Sequence, residues 1–252
     1  MSVSAAENKV YSEQDVHYDS VKFLMLDKTN QPITGMVKVF FPNQNIHKEI
    51  PYVSGQKHGV ETWYWPNKNK RFIVRWEKGF RHGASEEFRP DGTPSLTHTY
   101  MHNQLEGKQI VYHLNGNEKR VFYIQEGQEI DGMRYHYQSG GVASKAEQNK
   151  NNQKEYKTYY KNGKIKYLGT VDYKTNQQTG THYYRNGQIA LEVIKTKTGI
   201  EATHYSIRGK KTKLTEDKAK TINLLFAYGF FRHPDTESGW DELTMEFLRE
   251  LL

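Results

Sequence analysis

The 252 residues include no cysteine, so neither disulfides nor thiolate metal centres hold the chain together, and no apolar run approaches the ~20 residues of a membrane-spanning helix. Apolar residues make up only 35% and mean hydropathy is −0.90, yet 18 Tyr, 11 Phe and 4 Trp exclude a featureless disordered chain and favour a thin aromatic seam shared between repeats. The net charge of +7 is uneven: residues 215–252 hold four basic against eight acidic side chains, or −4, which leaves +11 on the rest.

At the start of the chain, Val3-Ser4-Ala5 ahead of Ala6-Glu7 reads as the end of a signal-peptide cleavage site, the expectation for an exported, periplasmic protein. An ordinary cytoplasmic start reads the same way. Residues 1–29 are expected to form a tail and a capping strand, with Val21–Leu26 as that strand before a turn at Asn30–Gly35.

A period then sets in. Gly35, Gly59, Gly83, Gly107 and Gly132 lie 24, 24, 24 and 25 residues apart, and Gly180 follows 48 further on. Tyr156 takes the skipped place, and Tyr156–Gly163 aligns with Gly180–Gly187 through paired tyrosines and a closing Asn-Gly; a degenerate last copy begins at Ala202. A second beat of Tyr52, Trp76, Tyr100, Tyr123 and Tyr173 is preceded, two residues earlier, by Ile50, Val74, His98, Val121 and Val171. Positions two apart share a strand face, so each copy adds an apolar and an aromatic side chain to one surface.

Two sets of turns punctuate the copies. Gly55–Gly59, Gly79–Gly83, Asn103–Gly107 and Asn176–Gly180 form one; Pro66-Asn67, Pro90–Gly92, Asn115-Gly116, Asn162-Gly163 and Asn186-Gly187 form the other. About 24 residues hold two strands and two turns and leave no space for a helix. The predicted class is therefore mainly β, an elongated single-layer antiparallel sheet of about seven stacked hairpins over residues 30–210.

Residues 211–252 are expected to be a helical cap, because exposed sheet ends aggregate unless covered. Thr215–Tyr228 reads as an amphipathic helix with Ile222, Leu225 and Phe226 on one face, and Ser238–Asp241 opens a last helix carrying Trp240, Leu243, Phe247, Leu248 and Leu251.

The segments Tyr52–Gly59, Tyr64-Trp65-Pro66-Asn67 and Tyr159–Gly163 resemble the MORN repeat, in the variant form of bacterial antitoxin-like and immunity-like proteins, over about residues 30–210. The resemblance implies a curved antiparallel sheet with a binding role and transfers no catalytic residue.

Chemistry gives the sequence little else. His58 with His82, and His182 with His204, lack the further ligands that zinc requires. No G-x-S-x-G turn and no phosphate-cradling G-x-x-x-x-G-K is present. No catalytic residue, metal or cofactor is expected, and the chain is read as non-enzymatic. The leading reading is an immunity or antitoxin protein that sterically covers a toxin, such as a periplasmic phospholipase or cell-wall enzyme. Expected partner contacts are Trp63, Trp65, Arg71, Arg75, Arg81, Lys157 and Tyr160, because Trp, Tyr and Arg dominate interface energetics. The lysine-rich run Lys145–Lys166 supports an alternative, a membrane-associated scaffold for anionic lipid; nucleic acid is not an expected partner.

Overall fold

A computed structural model of the protein describes residues 9–229. Strands take up 59% of the chain and one helix follows them, which is the mainly-β architecture of stacked hairpins. The chain divides into two compact units. The first holds residues up to Asn117 together with Tyr123–Ile130; the second holds Glu118–Phe122 and everything from Asp131.

In the first unit the strands are β1 (Val10–Ser12), β2 (Val16–Asp19), β3 (Leu24–Asp27), β4 (Gly35–Phe40), β5 (Ile46–Val53), β6 (Gln56–Lys57), β7 (Gly59–Tyr64), β8 (Lys70–Glu77), β9 (Phe80–Arg81), β10 (Gly83–Phe88), β11 (Pro94–Met101), β12 (Gln104–Leu105) and β13 (Gly107–Tyr112). From β4 to β13 each long strand pairs antiparallel with the next. The glycine period has a direct meaning in this register: Gly35 faces Tyr52, Gly59 faces Trp76 and Gly83 faces Tyr100. The three aromatics thus occupy equivalent places on successive hairpins, and Tyr52 is buried in the core with Tyr11, Ile33 and Val37.

The start of the chain departs from expectation. The anticipated capping strand Val21–Leu26 is shortened to Leu24–Asp27, which pairs with β2 in a separate two-stranded sheet, while Val21 and Phe23 are exposed. The strand that covers the edge of β4 is β1, and it runs parallel to it. Close approach explains why residue 35 is glycine: a Cβ there would lie 2.2 Å from the Lys9 carbonyl oxygen, whose partner is the Met36 amide at 2.8 Å.

Strands β14 (Glu118–Gln125) and β15 (Gln128–His136) fall partly in each unit. The second unit continues through β16 (Val142–Gln148), β17 (Lys154–Tyr159), β18 (Ile165–Asp172), β19 (Gln177–Tyr183), β20 (Ile189–Lys195), β21 (Ile200–Tyr205), β22 (Lys211–Lys213) and the helix α1 (Glu216–Gly229). Pairing from β15 to β22 is antiparallel throughout.

Two kinds of hairpin end alternate. At one end, residues with positive φ occur in pairs, Ser54-Gly55, Lys78-Gly79, His102-Asn103 and Glu126-Gly127, the backbone of a type I′ turn whose twist matches the strands. These two-residue turns are confined to the first unit. The turn expected at Asn176–Gly180 is instead largely strand, since β19 starts at Gln177 and Gly180 pairs with Gly169 in mid-sheet. Both of those glycines accommodate Tyr167: a Cβ on Gly169 would sit 2.6 Å from its hydroxyl oxygen, and one on Gly180 would sit 2.8 Å away.

The other hairpin end is the same in both units. The amides of Phe41, Trp65, Arg89, His113, Tyr137, Tyr160, Tyr184 and Ser206 each donate to the carbonyl four residues on, at 2.8–2.9 Å, closing a short loop whose fourth residue is left-handed. A β-bulge precedes this loop in copy after copy, at Val39/Phe40, Trp63/Tyr64, Glu87/Phe88, Tyr135/His136, Thr158/Tyr159 and His182/Tyr183. Bulges raise twist and interrupt the ladder. Carbonyls at these hairpin ends are satisfied from the preceding copy: Trp65 Nε1 donates to Phe88 O at 3.0 Å, Arg89 to Tyr112 O at 3.1 Å, and the hydroxyls of Tyr137, Tyr160 and Tyr184 to the carbonyls of Tyr159, Tyr183 and Tyr205 at 2.6, 2.7 and 2.9 Å.

Helix α1 closes the second unit, as the sequence predicts for 215–228. Ala219 and Ile222 are fully buried against Tyr167, Leu191, Val193 and Ala202, with Ile200 and Leu214 alongside. Burying Ile222 alone is worth roughly 1.5–3 kcal/mol. Glu216 and Asp217 stand in its first turn, where carboxylates suit the helix dipole, and Lys220 pairs with Glu216 at 2.9 Å. The face positions Leu225 and Phe226 and the helix expected after Ser238 lie outside the described side chains and residues.

Candidate partner-binding surface

Register assembles one band of the first unit. Lys48 pairs with Trp63 and Trp63 with Phe72, so these three side chains share a face along one rung. The Lys48 ammonium lies 3.9 Å above the Trp63 ring, and Phe72 and His47 meet Trp63 edge-on at 5.8 and 5.9 Å. Phe41 packs on His47 at 4.3 Å. Where the turn follows, the guanidinium carbon of Arg71 lies 4.4 Å from the Trp65 ring centre and 4.9 Å from that of Phe72. The positive setting is felt by His47, whose pKa is held below 6.5 by burial and by the charges of Lys48 and Arg71.

The neighbouring row is polar and buried. Glu61 is 2% exposed and accepts from Lys57 Nζ at 2.8 Å and Trp63 Nε1 at 2.6 Å. Gln109 is fully covered and bonds to Thr99 and Gly107 backbone atoms. These groups hold the sheet's own side chains in place; a buried carboxylate stays because both its oxygens are satisfied.

The seven expected contact residues are all half-buried, and their neighbours differ. Trp63, Trp65 and Arg71 fall in the band just described. Arg75 pairs with Val60 on the opposite face from Trp63 and binds Glu86 at 3.3 Å and the Ala84 carbonyl. Arg81 faces Trp76 and lies 4.3 Å over the Tyr100 ring. In the second unit Lys157 binds Glu155, which raises its pKa, and stands 3.8 Å from Glu147; the Tyr160 ring has Lys166 and Arg185 at 5.9 and 5.8 Å.

The lysine run of the second unit does not form one surface. Lys145 and Lys157 are paired across strands with Glu147 and Glu155 beside them, Lys154 belongs to the other face, and Lys150, Lys161 and Lys164 sit in turns. Strand alternation is the cause: consecutive lysines are sent to opposite sides.

Among the described residues no three His, Asp or Glu side chains gather around one point. His58 Nδ1 accepts the Lys78 amide at 3.3 Å, His82 stacks edge-on against His102 at 5.5 Å, and His182 and His204 flank Leu191 in register. Lys48, His47 and Phe72, absent from the expected contacts, become visible only once strand pairing is known.

The family described as MORN repeat variant matches residues 153–173. That stretch is one hairpin, β17 and β18 with the Tyr160–Lys164 loop between them, and it supports reading the chain as a MORN-repeat protein. MORN repeats are in general protein- or lipid-binding repeats. The comparison with curated proteins gave no match.

Proposed function

We propose that the chain acts by binding rather than by catalysis, as an immunity or antitoxin protein that neutralises a toxin by covering its active-site mouth. The observation that carries the reading is the Trp63, Trp65 and Arg71 band, whose side chains are already fixed by ring and cation contacts before any partner arrives. Pre-ordered side chains lose little entropy on docking, so contact area is converted into affinity efficiently. Inhibition is then steric and needs no reactive group. Action in the periplasm, with a phospholipase or cell-wall enzyme as target, belongs to the same proposal.

The anionic-lipid scaffold has less support, because the strand lysines Lys145 and Lys157 already have carboxylate neighbours. The test is co-expression with candidate bacterial toxins, followed by titration of the purified pair for any toxin whose effect on growth is relieved. Rescue of growth and a 1:1 complex that abolishes toxin activity are the expected results. Salt-sensitive binding to phosphatidylglycerol vesicles with no such complex would overturn the reading.

A further inference from the structure

We infer that Arg71 and Lys48 form a carboxylate-binding subsite that takes an acidic side chain of a protein partner. The argument starts from charge. Of the carboxylates around this band, Glu49 is engaged by Lys38 at 3.0 Å and by the Tyr64 hydroxyl at 2.8 Å, and Glu61 by Lys57 and Trp63, while Glu87, in register with Phe72, and Glu13, whose charge reaches His47, are not drawn onto Lys48 or Arg71. Among the described residues neither Lys48 nor Arg71 has a carboxylate within ion-pair distance, and the Arg71 Nε–H is buried with no hydrogen-bond partner. Arg75 shows the contrast, since it binds Glu86 and a carbonyl.

Two cations are therefore held in place by aromatic rings instead of by counter-charges. The Arg71 guanidinium carbon lies within 5 Å of both the Trp65 and the Phe72 ring centres, and among the described residues its terminal N–H groups have no protein acceptor. A planar fork so presented matches a carboxylate, which it binds through two parallel hydrogen bonds. Lys48, fixed over Trp63 on the same rung as Phe72, adds a second positive charge. His47 beside them is pushed toward its neutral form by burial and by the charges of Lys48 and Arg71. The rings are half-buried and already covered by the two cations, which leaves a bilayer little apolar surface to take up, so a protein carboxylate fits better than a lipid surface. The excess of +11 on the chain ahead of residue 215 favours an acidic partner.

This subsite deepens the binding reading above, and its test uses the protein alone. The probe is the peptide acetyl-Phe-Glu-Asp-Glu-Phe-amide, followed by tryptophan fluorescence and calorimetry on the full chain, with the Gln/Asn version of the peptide, inorganic phosphate and phosphatidylglycerol vesicles as further arms. Saturable binding of the acidic peptide is expected, with loss of at least about tenfold in affinity for Arg71→Lys and for Lys48→Gln and no change for Lys78→Gln. Arg71→Lys keeps the charge and the packing stem, so it separates loss of the fork from loss of the fold, which circular dichroism checks. Equal binding of the neutral peptide, tighter binding of phosphate or vesicles, unchanged affinity in Arg71→Lys, or no peptide binding at all would each overturn the subsite. Failure of toxin rescue with the peptide result intact would instead count against the immunity reading.

Discussion

The Tyr160 hydroxyl donates a 2.7 Å hydrogen bond to the carbonyl of Tyr183, a residue 23 positions later at the bulge of the following hairpin. The same reach links Tyr184 to Tyr205 at 2.9 Å and Tyr137 to Tyr159 at 2.6 Å. The bulges at Thr158/Tyr159 and His182/Tyr183 would otherwise leave the Tyr159 and Tyr183 carbonyls short of a donor, and all three phenols tie one copy to the next.

Removing that tie has a defined size. Tyr184→Phe keeps the ring and deletes only the hydroxyl, and is expected to lower stability by about 1 kcal/mol, with Tyr160→Phe similar. Urea unfolding followed by far-ultraviolet circular dichroism measures it. A change below a few tenths of a kcal/mol in both would mean that water serves the carbonyl equally well.

Gly163 isolates backbone strain. Its φ is +80° and an added Cβ meets nothing within 4 Å, so Gly163→Ala is expected to cost about 1–2 kcal/mol through conformation alone. Gly141→Ala is the control, since that Cβ also has open space but no positive φ is required. Equal effects of the two would remove the conformational explanation.

Gly169 isolates close packing. Tyr167 is 6% exposed and packed in the core with Leu191, Val193 and Ile222, so Gly169→Ala, whose Cβ would sit 2.6 Å from the Tyr167 hydroxyl oxygen, is expected to cost about 1–3 kcal/mol. In a Tyr167→Ala background the same change should be nearly neutral. The double-mutant cycle measures this coupling, and additive effects would exclude it.

Acid sensitivity follows from two histidines. His47 is lowered from 6.5 by burial and by the charges of Lys48 and Arg71, which outweigh the opposing charge of Glu13, and His204 is lowered by burial. Because the unfolded chain then takes up protons first, the contribution is complete above about pH 6.5 and is lost as pH falls through that value toward the folded pKa. Carboxylates such as Asp15, lowered to about 2 by Lys28 and Ser12, act only at more acid pH. The urea midpoint should therefore fall between about pH 7.5 and 5.5, and fall less in a His47→Gln, His204→Gln variant. A midpoint that rises on acidification would contradict the assignment.

The repeat was legible because its marks are backbone requirements. Gly35, Gly59 and Gly83 recur since each stands opposite an aromatic in register, and the Asn-Gly pairs recur since each loop needs a left-handed fourth residue. Gly180 misled for the same reason: it keeps the period, but what it answers to is the Tyr167 ring across the sheet, which no spacing reveals. The parallel β1 was hidden because edge covering depends on a contact between Lys9 and Gly35 rather than on any local pattern. Within the band around Trp63, residue type alone had singled out Trp63, Trp65 and Arg71. Lys48 was not singled out, because its place opposite Trp63 depends on a register offset between the Ser54-Gly55 turn and β7 that the spacing of the turn does not show.

The inter-copy ties also act as addresses during assembly. The first unit uses an indole at 65 and a guanidinium at 89, groups of different length, so a hairpin that annealed one copy out of place would meet the wrong reach. The second unit uses three phenols at 137, 160 and 184, which are interchangeable. In the second unit register must therefore be set by packing that is unique to one copy, such as the Tyr167 ring against Gly169 and Gly180, and not by the ties themselves.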